Sequence, residues 1–144
     1  MKIFVIDNAG DISANMFTNT ASVVFFSDEV LALNAVEEQQ VQLILLNYAM
    51  QNELTVDYIR SLVTAAPAAS LVVVGHGNSE QDVFRCLLAG AKGYQEIQTL
   101  AVYMDRLISA IDRSEAWVSR RMVTKLLDAI RLQQESLNFE AVDS

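Results

Sequence analysis

Two rhythms of apolar residues alternate along the chain. KIFVID (2–7), SVVFF (22–26), QLILL (42–46) and SLVVVG (70–75) are continuous runs of aliphatic and β-branched residues. Such runs suit strands buried on both faces of a parallel sheet. GYQEI (93–97) predicts a weaker fifth strand. Between the runs the apolar spacing becomes helical. Residues 28–40 carry Val30, Leu31, Leu33, Ala35 and Val36, with Asp28 near the start. Residues 55–66 place Val56, Ile59, Leu62 and Val63 on one face, and Pro67 stops the helix. Residues 79–90 open with the capping pattern Ser79-x-x-Asp82 and close at Gly90. Residues 99–113 turn Val102, Leu107, Ile108 and Ile111 toward the sheet.

The interval between the first two strands leaves room only for a short helix, Asp11 to Thr18. A last helix is predicted over 119–137, with Met122, Leu126, Ala129 and Ile130 along one face, followed by an acidic tail that should fray (138–144). The order is that of a doubly wound α/β domain with a C-terminal helix added. Its working crevice should lie at the carboxyl ends of the strands. Those ends are Asp7-Asn8, Asn47, Gly75-His76 and the region of Ile97.

Composition narrows the classes. The 144 residues carry a formal charge of −8, and 52% of them are hydrophobic. General disorder is excluded. A duplex-binding module should instead be basic, so DNA contact is expected only through a domain not in this chain. No run approaches the ~20 apolar residues of a membrane span. The single cysteine, Cys86, rules out an intrachain disulfide and fits a reducing cytoplasm. No phosphate-binding glycine loop, G-x-S-x-G elbow or catalytic cysteine context occurs, so no enzymatic activity and no cofactor are expected.

Five segments, in order, carry a family resemblance: KIFVIDN (2–8), LLNYAM (45–50), PAASLVVVG (67–75), AGAKGY (89–94) and SEAWVSRRMVTKLL (114–127). Together they resemble a response-regulator receiver domain of the NarL/FixJ type, which usually precedes a LuxR-type helix-turn-helix. The resemblance covers about residues 2 to 130. It implies a flavodoxin-like sheet of strand order 2-1-3-4-5, an atypical receiver domain over 1–114, and a linker or dimerisation helix and tail over 115–144. It also implies a DNA-binding domain beyond the last helix, absent from these residues.

The same resemblance fixes which positions would carry phosphoryl chemistry. A phosphorylatable receiver needs a carboxylate nucleophile, acidic ligands for Mg²⁺, and a hydroxyl and a lysine on the phosphoryl oxygens. Here the nucleophile position is Asn47, the acidic pair is Asp7 with Asn8, the hydroxyl position is Gly75 and the lysine position is Ile97. Tyr94 matches the family's switch aromatic. The expectation is a degenerate, non-phosphorylatable receiver (a pseudo-receiver). Asp7 reads as a cap on local backbone amides, or at most as a weak metal ligand. Asn47 reads either as the centre of a closed hydrogen-bond network or as an ordinary strand-end polar residue. Nothing in the sequence places Asp11 in the crevice.

WVSR (117–120) resembles a W-x-[ST]-R motif found in some receiver-type regulators that bind cyclic di-GMP. An indole can stack on guanine and an arginine can reach guanine edges or phosphate. Trp117, Ser119 and Arg120 therefore form an alternative ligand site, against a reading in which Trp117 packs. For partners, the expectation is a homodimer through Met122, Leu126, Ala129 and Ile130, with another signalling protein as a further possibility and no membrane.

Overall fold

The structure is a computed structural model and describes residues 1–17 and 22–143. Five strands form one all-parallel sheet: β1 (Lys2–Ile6), β2 (Ser22–Phe26), β3 (Leu43–Asn47), β4 (Ser70–Gly75) and β5 (Gly93–Glu96). Their order is β2-β1-β3-β4-β5. Phe4 pairs with Ile44 and Val24, and Val73 with Leu46 and Tyr94. The three central strands are almost wholly buried, as a sheet covered on both faces requires. No helix of the described residues is long and apolar enough to cross a membrane.

Alternation along each strand divides the core in two. Phe4, Ile6, Ile44, Leu46, Leu71 and Val73 face α1 (Glu29–Glu38), α2 (Thr55–Ala65) and α3 (Glu80–Leu88). Ile3, Val5, Leu43, Leu45, Val72 and Val74 face α4 (Leu100–Asp112), through Leu100, Met104, Leu107 and Ile111. Local chemistry sets the helix ends. Asp28 accepts the backbone N–H of Val30 and Leu31 at 2.9 Å, and Ser79 accepts that of Asp82 at 3.1 Å. Gly90 has φ +120°, and a side chain there would press within 3.0 Å of Val63 on α2.

Several expected placements shift. The predicted short helix after β1 is a single 3-10 turn, Ala14–Met16, and Thr18 lies outside the described residues. Ile12 is 3% exposed and fills the sheet face there, while the Phe17 ring meets Phe25 edge-on. On α1 the buried residues are Ala32, Ala35 and Val36, whereas Val30 and Leu31 are exposed. At 100° per residue, Val30 and Leu31 fall well off the face that Ala32 presents to the sheet. Val102 on α4 is 76% exposed for the same reason, standing about 200° from Leu100.

The last helix, α5 (Arg120–Asp143), runs past the predicted end at residue 137 and takes in residues 138–143 of the acidic tail, while Ser144 lies outside the described residues. It leaves the domain beside α3. Glu80 of α3 accepts Arg121 at 3.1 Å and Lys125 at 3.5 Å, and the Lys125 ammonium sits over the Phe84 ring. Met122 is buried, and Leu126 and Ala129 are half-buried. These three members of the expected stripe are therefore covered within the chain's own domain. Ile130, the fourth, is 51% exposed.

Candidate functional site

At the carboxyl ends of β1 and β3 the crevice closes on itself. Asp7 follows β1, and its Oδ1 accepts the N–H of Ala9 at 2.9 Å while Oδ2 accepts that of Ile12 at 2.8 Å. The capping reading of Asp7 is what the geometry contains. These two bonds fold the next five residues back over the strand ends and carry Asp11 into the crevice. Asn47, the last residue of β3, is 4% exposed. Its Nδ2 donates to Asp7 Oδ1 at 3.0 Å and to Asp11 Oδ2 at 2.9 Å, and its Oδ1 accepts Ala49 N–H at 3.0 Å. One neutral amide thus serves two carboxylates with its two N–H groups, and its oxygen caps the turn that follows. Asn8 is exposed and takes no part in this network.

Asp11 is the residue that sequence reasoning missed. The only signal for it was a second aspartate four positions after Asp7, and the absence of a helix here is what lets it turn inward. A hard divalent cation needs several oxygen ligands converging on one point. Here the amide hydrogens of Asn47 occupy the space between the two carboxylates, and both Asp7 oxygens already hold backbone N–H groups. No cluster of three or more potential ligands occurs among the described residues. The residues present do not fit Mg²⁺.

A second network closes the end of β4. The Tyr94 hydroxyl lies 3.1 Å from Asn78 Oδ1 and 3.0 Å from Glu96 Oε1, and Glu96 Oε2 accepts Gly77 N–H at 2.9 Å. Burial, reinforced by the Glu96 carboxylate, raises the Tyr94 phenol well above its ordinary value. Gly75 lies under this group. A Cβ there would stand 1.9 Å from Asn78 Oδ1 and 2.6 Å from the Tyr94 hydroxyl. The space of a hydroxyl side chain is thus filled by Tyr94 and Asn78. Ile97 is half-buried and packs with the α4-side core, offering no polar atom to the crevice. His76 is an exposed loop residue. Cys86 is buried, and burial pushes its thiol up to about 11.

The WVSR segment has a different role from a convergent site. Residues before α5 run along the free edge of β5: Trp117 N–H donates to Lys92 O at 2.9 Å and Tyr94 N–H to Trp117 O at 3.0 Å. A side chain at Gly93 would meet Trp117 O at 2.3 Å, so glycine there permits the approach. The indole N–H of Trp117 donates to Gln95 Oε1 at 2.9 Å, and the buried Gln95 amide in turn donates to Thr99 Oγ1 at 2.7 Å. Ser119 Oγ accepts Met122 N–H at the start of α5. An open cleft of about 970 Å³ between this segment and α4 is lined by Trp117 and Ser119 together with Tyr103, Arg106 and Arg113, but not by Arg120.

No family model and no curated protein matches the chain. Solved structures do match. The isolated receiver domain of RcsB from Salmonella enterica serovar Typhimurium superposes with a TM-score of 0.72 at 16% identity, over 89% of this chain and 98% of that one. A LuxR family DNA-binding response regulator from Silicibacter pomeroyi gives 0.69 at 20% identity, over 83% and 98%. A response regulator from Thermotoga maritima gives 0.64 at 16%, over 75% and 97%. The chain therefore has the flavodoxin-like fold of response-regulator receivers, with the strand order 2-1-3-4-5.

Proposed function

We propose that this chain is a pseudo-receiver: a response-regulator receiver of LuxR type that signals without accepting a phosphoryl group. The observation that carries this reading is the Asn47 amide bonded to both Asp7 and Asp11. An amide is no phosphoryl acceptor, and its hydrogens stand where a cation would have to sit between the carboxylates. The residues around it agree. The Gly75 position has no room for a hydroxyl, and Ile97 has turned into the core. Tyr94, which in the family responds to phosphorylation, is held here by Asn78 and Glu96. Such a domain regulates transcription through protein contacts, in the reducing cytoplasm, with DNA contacted by a separate helix-turn-helix domain.

The test is incubation with acetyl phosphate and Mg²⁺, followed by intact mass. No acid-labile adduct is expected. An aspartyl phosphate mapped to Asp7 or Asp11 overturns the reading. The cyclic di-GMP alternative draws no support from the geometry, because Trp117 and Ser119 are engaged in holding the chain and Arg120 does not line the cleft beside them. Titration with cyclic di-GMP, read on Trp117 emission, separates the two.

A further inference from the structure

The sheet has two edges, and the chain closes only one of them. At β5 the segment before α5 pairs with the edge, through Trp117 N–H to Lys92 O and Tyr94 N–H to Trp117 O. At the other edge β2 pairs only with β1. Ser22 N–H donates to Met1 O at 3.1 Å, and Asp7 N–H to Phe26 O at 2.9 Å. The alternation of a parallel ladder therefore turns the backbone groups of Ser22, Val24 and Phe26 toward β1 and those of Val23 and Phe25 outward. Among the described residues, nothing bonds to these outward groups. Edge strands are ordinarily blunted by charge, proline or a bulge. The strand SVVFF (22–26) carries neither charge nor proline, and its register with β1 is unbroken. Val24 and Phe25 point to opposite faces of the sheet and are 37% and 44% exposed, so the edge is fully covered on neither face. Val30 and Leu31, in the first turn of α1, are exposed as well.

We infer that β2 receives an extended segment of a partner protein, apolar at alternate positions and basic at its flanks. The outward N–H and C=O groups select an extended backbone, because a helix has already paired its own. Val24 and Phe25 select apolar side chains beside them. Charge selects the flanks. From Ile3 to Ile59 the chain holds eight acidic residues and no lysine, arginine or histidine. Two of the acids, Asp28 and Glu29, follow the strand almost at once. Lys2, opposite Ser22 in the ladder, gives its ammonium to Gln39 Oε1 at 2.5 Å, and Arg60 meets Asp57. Eight of the ten cations of the chain lie from Arg85 onward, in α3 or after it. The β2 side is therefore anionic around an apolar strand. A second copy offering its own β2 would bring two such sides together, which like charge disfavours. A segment flanked by lysine or arginine is attracted instead. The docking needs nothing from the Asn47 crevice, so it stands or falls separately from the proposed function.

The experiment titrates the full chain with a short synthetic peptide, alternating valine and threonine between paired lysines, and reads fluorescence anisotropy from a label on the peptide. The same peptide ended by paired glutamates is the control. The lysine peptide should bind, and the glutamate peptide at least about ten-fold more weakly. Added salt should narrow that difference. Binding should slow amide exchange at Val23 and Phe25, the outward donors, and leave Val24 as it was. Val23→Pro deletes an outward donor that the β1 ladder does not use. Its circular dichroism should match the parent, while the lysine peptide binds at least about ten-fold more weakly. Phe25→Lys is a second variant that keeps both donors and adds a cation to the edge, so the preference for the lysine peptide should shrink. Absence of lysine-peptide binding at millimolar concentration overturns the proposal. Binding without protection of Val23 and Phe25 overturns it equally. Self-association of the chain in sedimentation that Val23→Pro abolishes also overturns it, because the edge then belongs to a second copy.

Discussion

Gly75 lies directly beneath the Tyr94 hydroxyl, and the two exclude any side chain between them. A Cβ at Gly75 would stand 2.6 Å from that oxygen, 2.8 Å from Tyr94 Cε2 and 1.9 Å from Asn78 Oδ1. Gly75→Ser, which returns a hydroxyl to the strand end, should therefore destabilise the fold by roughly 1–3 kcal/mol, the usual cost of overpacking. Urea unfolding measures it. The cost should shrink in an Asn78→Ala background, because Asn78 is the nearest obstacle. Equal costs in both backgrounds would mean that the clash is not the cause.

Asn47→Asp is the complementary test at the other end of the crevice. It replaces an amide that donates to Asp7 and Asp11 with a third carboxylate beside them. Two hydrogen bonds are lost and like charges converge. The variant should melt lower than the parent in EDTA at neutral pH, and millimolar Mg²⁺ should recover much of the difference by bridging the carboxylates. The parent should show no such Mg²⁺ response. Phosphorylation should still fail, since Gly75 and Ile97 supply neither of the remaining contacts.

These two sites differ in how far the sequence disclosed them. The strands and the capped starts of α1 and α3 were legible from local pattern: β-branched runs, and Asp28 and Ser79 at helix starts. The strand order came instead from the family resemblance, as did the reading of Asn47 and Gly75 as altered positions. Asp11 was not legible because its place depends on two backbone N–H bonds to Asp7 in a stretch without regular structure. Glu96 and Asn78 were invisible for a similar reason, since only the tertiary fold brings them to Tyr94. The apolar stripe of α5 was read correctly as apolar, but sequence spacing alone does not say which of two adjacent stripes the domain covers. The burial of Met122 marks the covered one, with Glu80 meeting Arg121 and Lys125 beside it.

Alkaline stability follows from Cys86. Its thiol is raised by burial from 9.0 to about 11 in the folded chain. Below pH 9 both folded and unfolded chains keep the proton, and the native preference for the neutral thiol is fully expressed. Above pH 9 the unfolded chain releases it while the folded chain retains it, so stability falls until the folded thiol also ionises near 11. The slope from one such group is on the order of 1 kcal/mol per pH unit. Tyr58 and Tyr94, both raised chiefly by burial, extend the loss to higher pH. Chemical denaturation between pH 8 and 11 should show the decline, and Cys86→Ala should flatten its lower part. An unchanged slope in that variant would assign the effect to other groups.

The edge of β5 gives the last prediction. Trp117 is tied there by two backbone bonds, and its indole N–H meets Gln95 Oε1, a buried acceptor. Trp117→Phe keeps most of the ring and deletes that one donor. Gln95 Oε1 is then left without its partner, a loss of about 1–3 kcal/mol for a buried polar atom. Gly93→Ala attacks the same contact from the strand side, because its Cβ would press on the Trp117 carbonyl, a backbone atom that cannot rotate away. This variant should free the segment from the sheet edge while leaving the far edge at β2 intact. Trp117 is the sole tryptophan, so its emission reports the release as a red shift and greater acrylamide quenching. Because the segment leads directly into α5, amide exchange over residues 116–122 should rise in the same variant, with the central strands still protected. If Gly93→Ala leaves both emission and exchange unchanged, the segment is held by α3 and Glu80 rather than by β5, and the hydrogen bonds to the edge strand contribute nothing to its position.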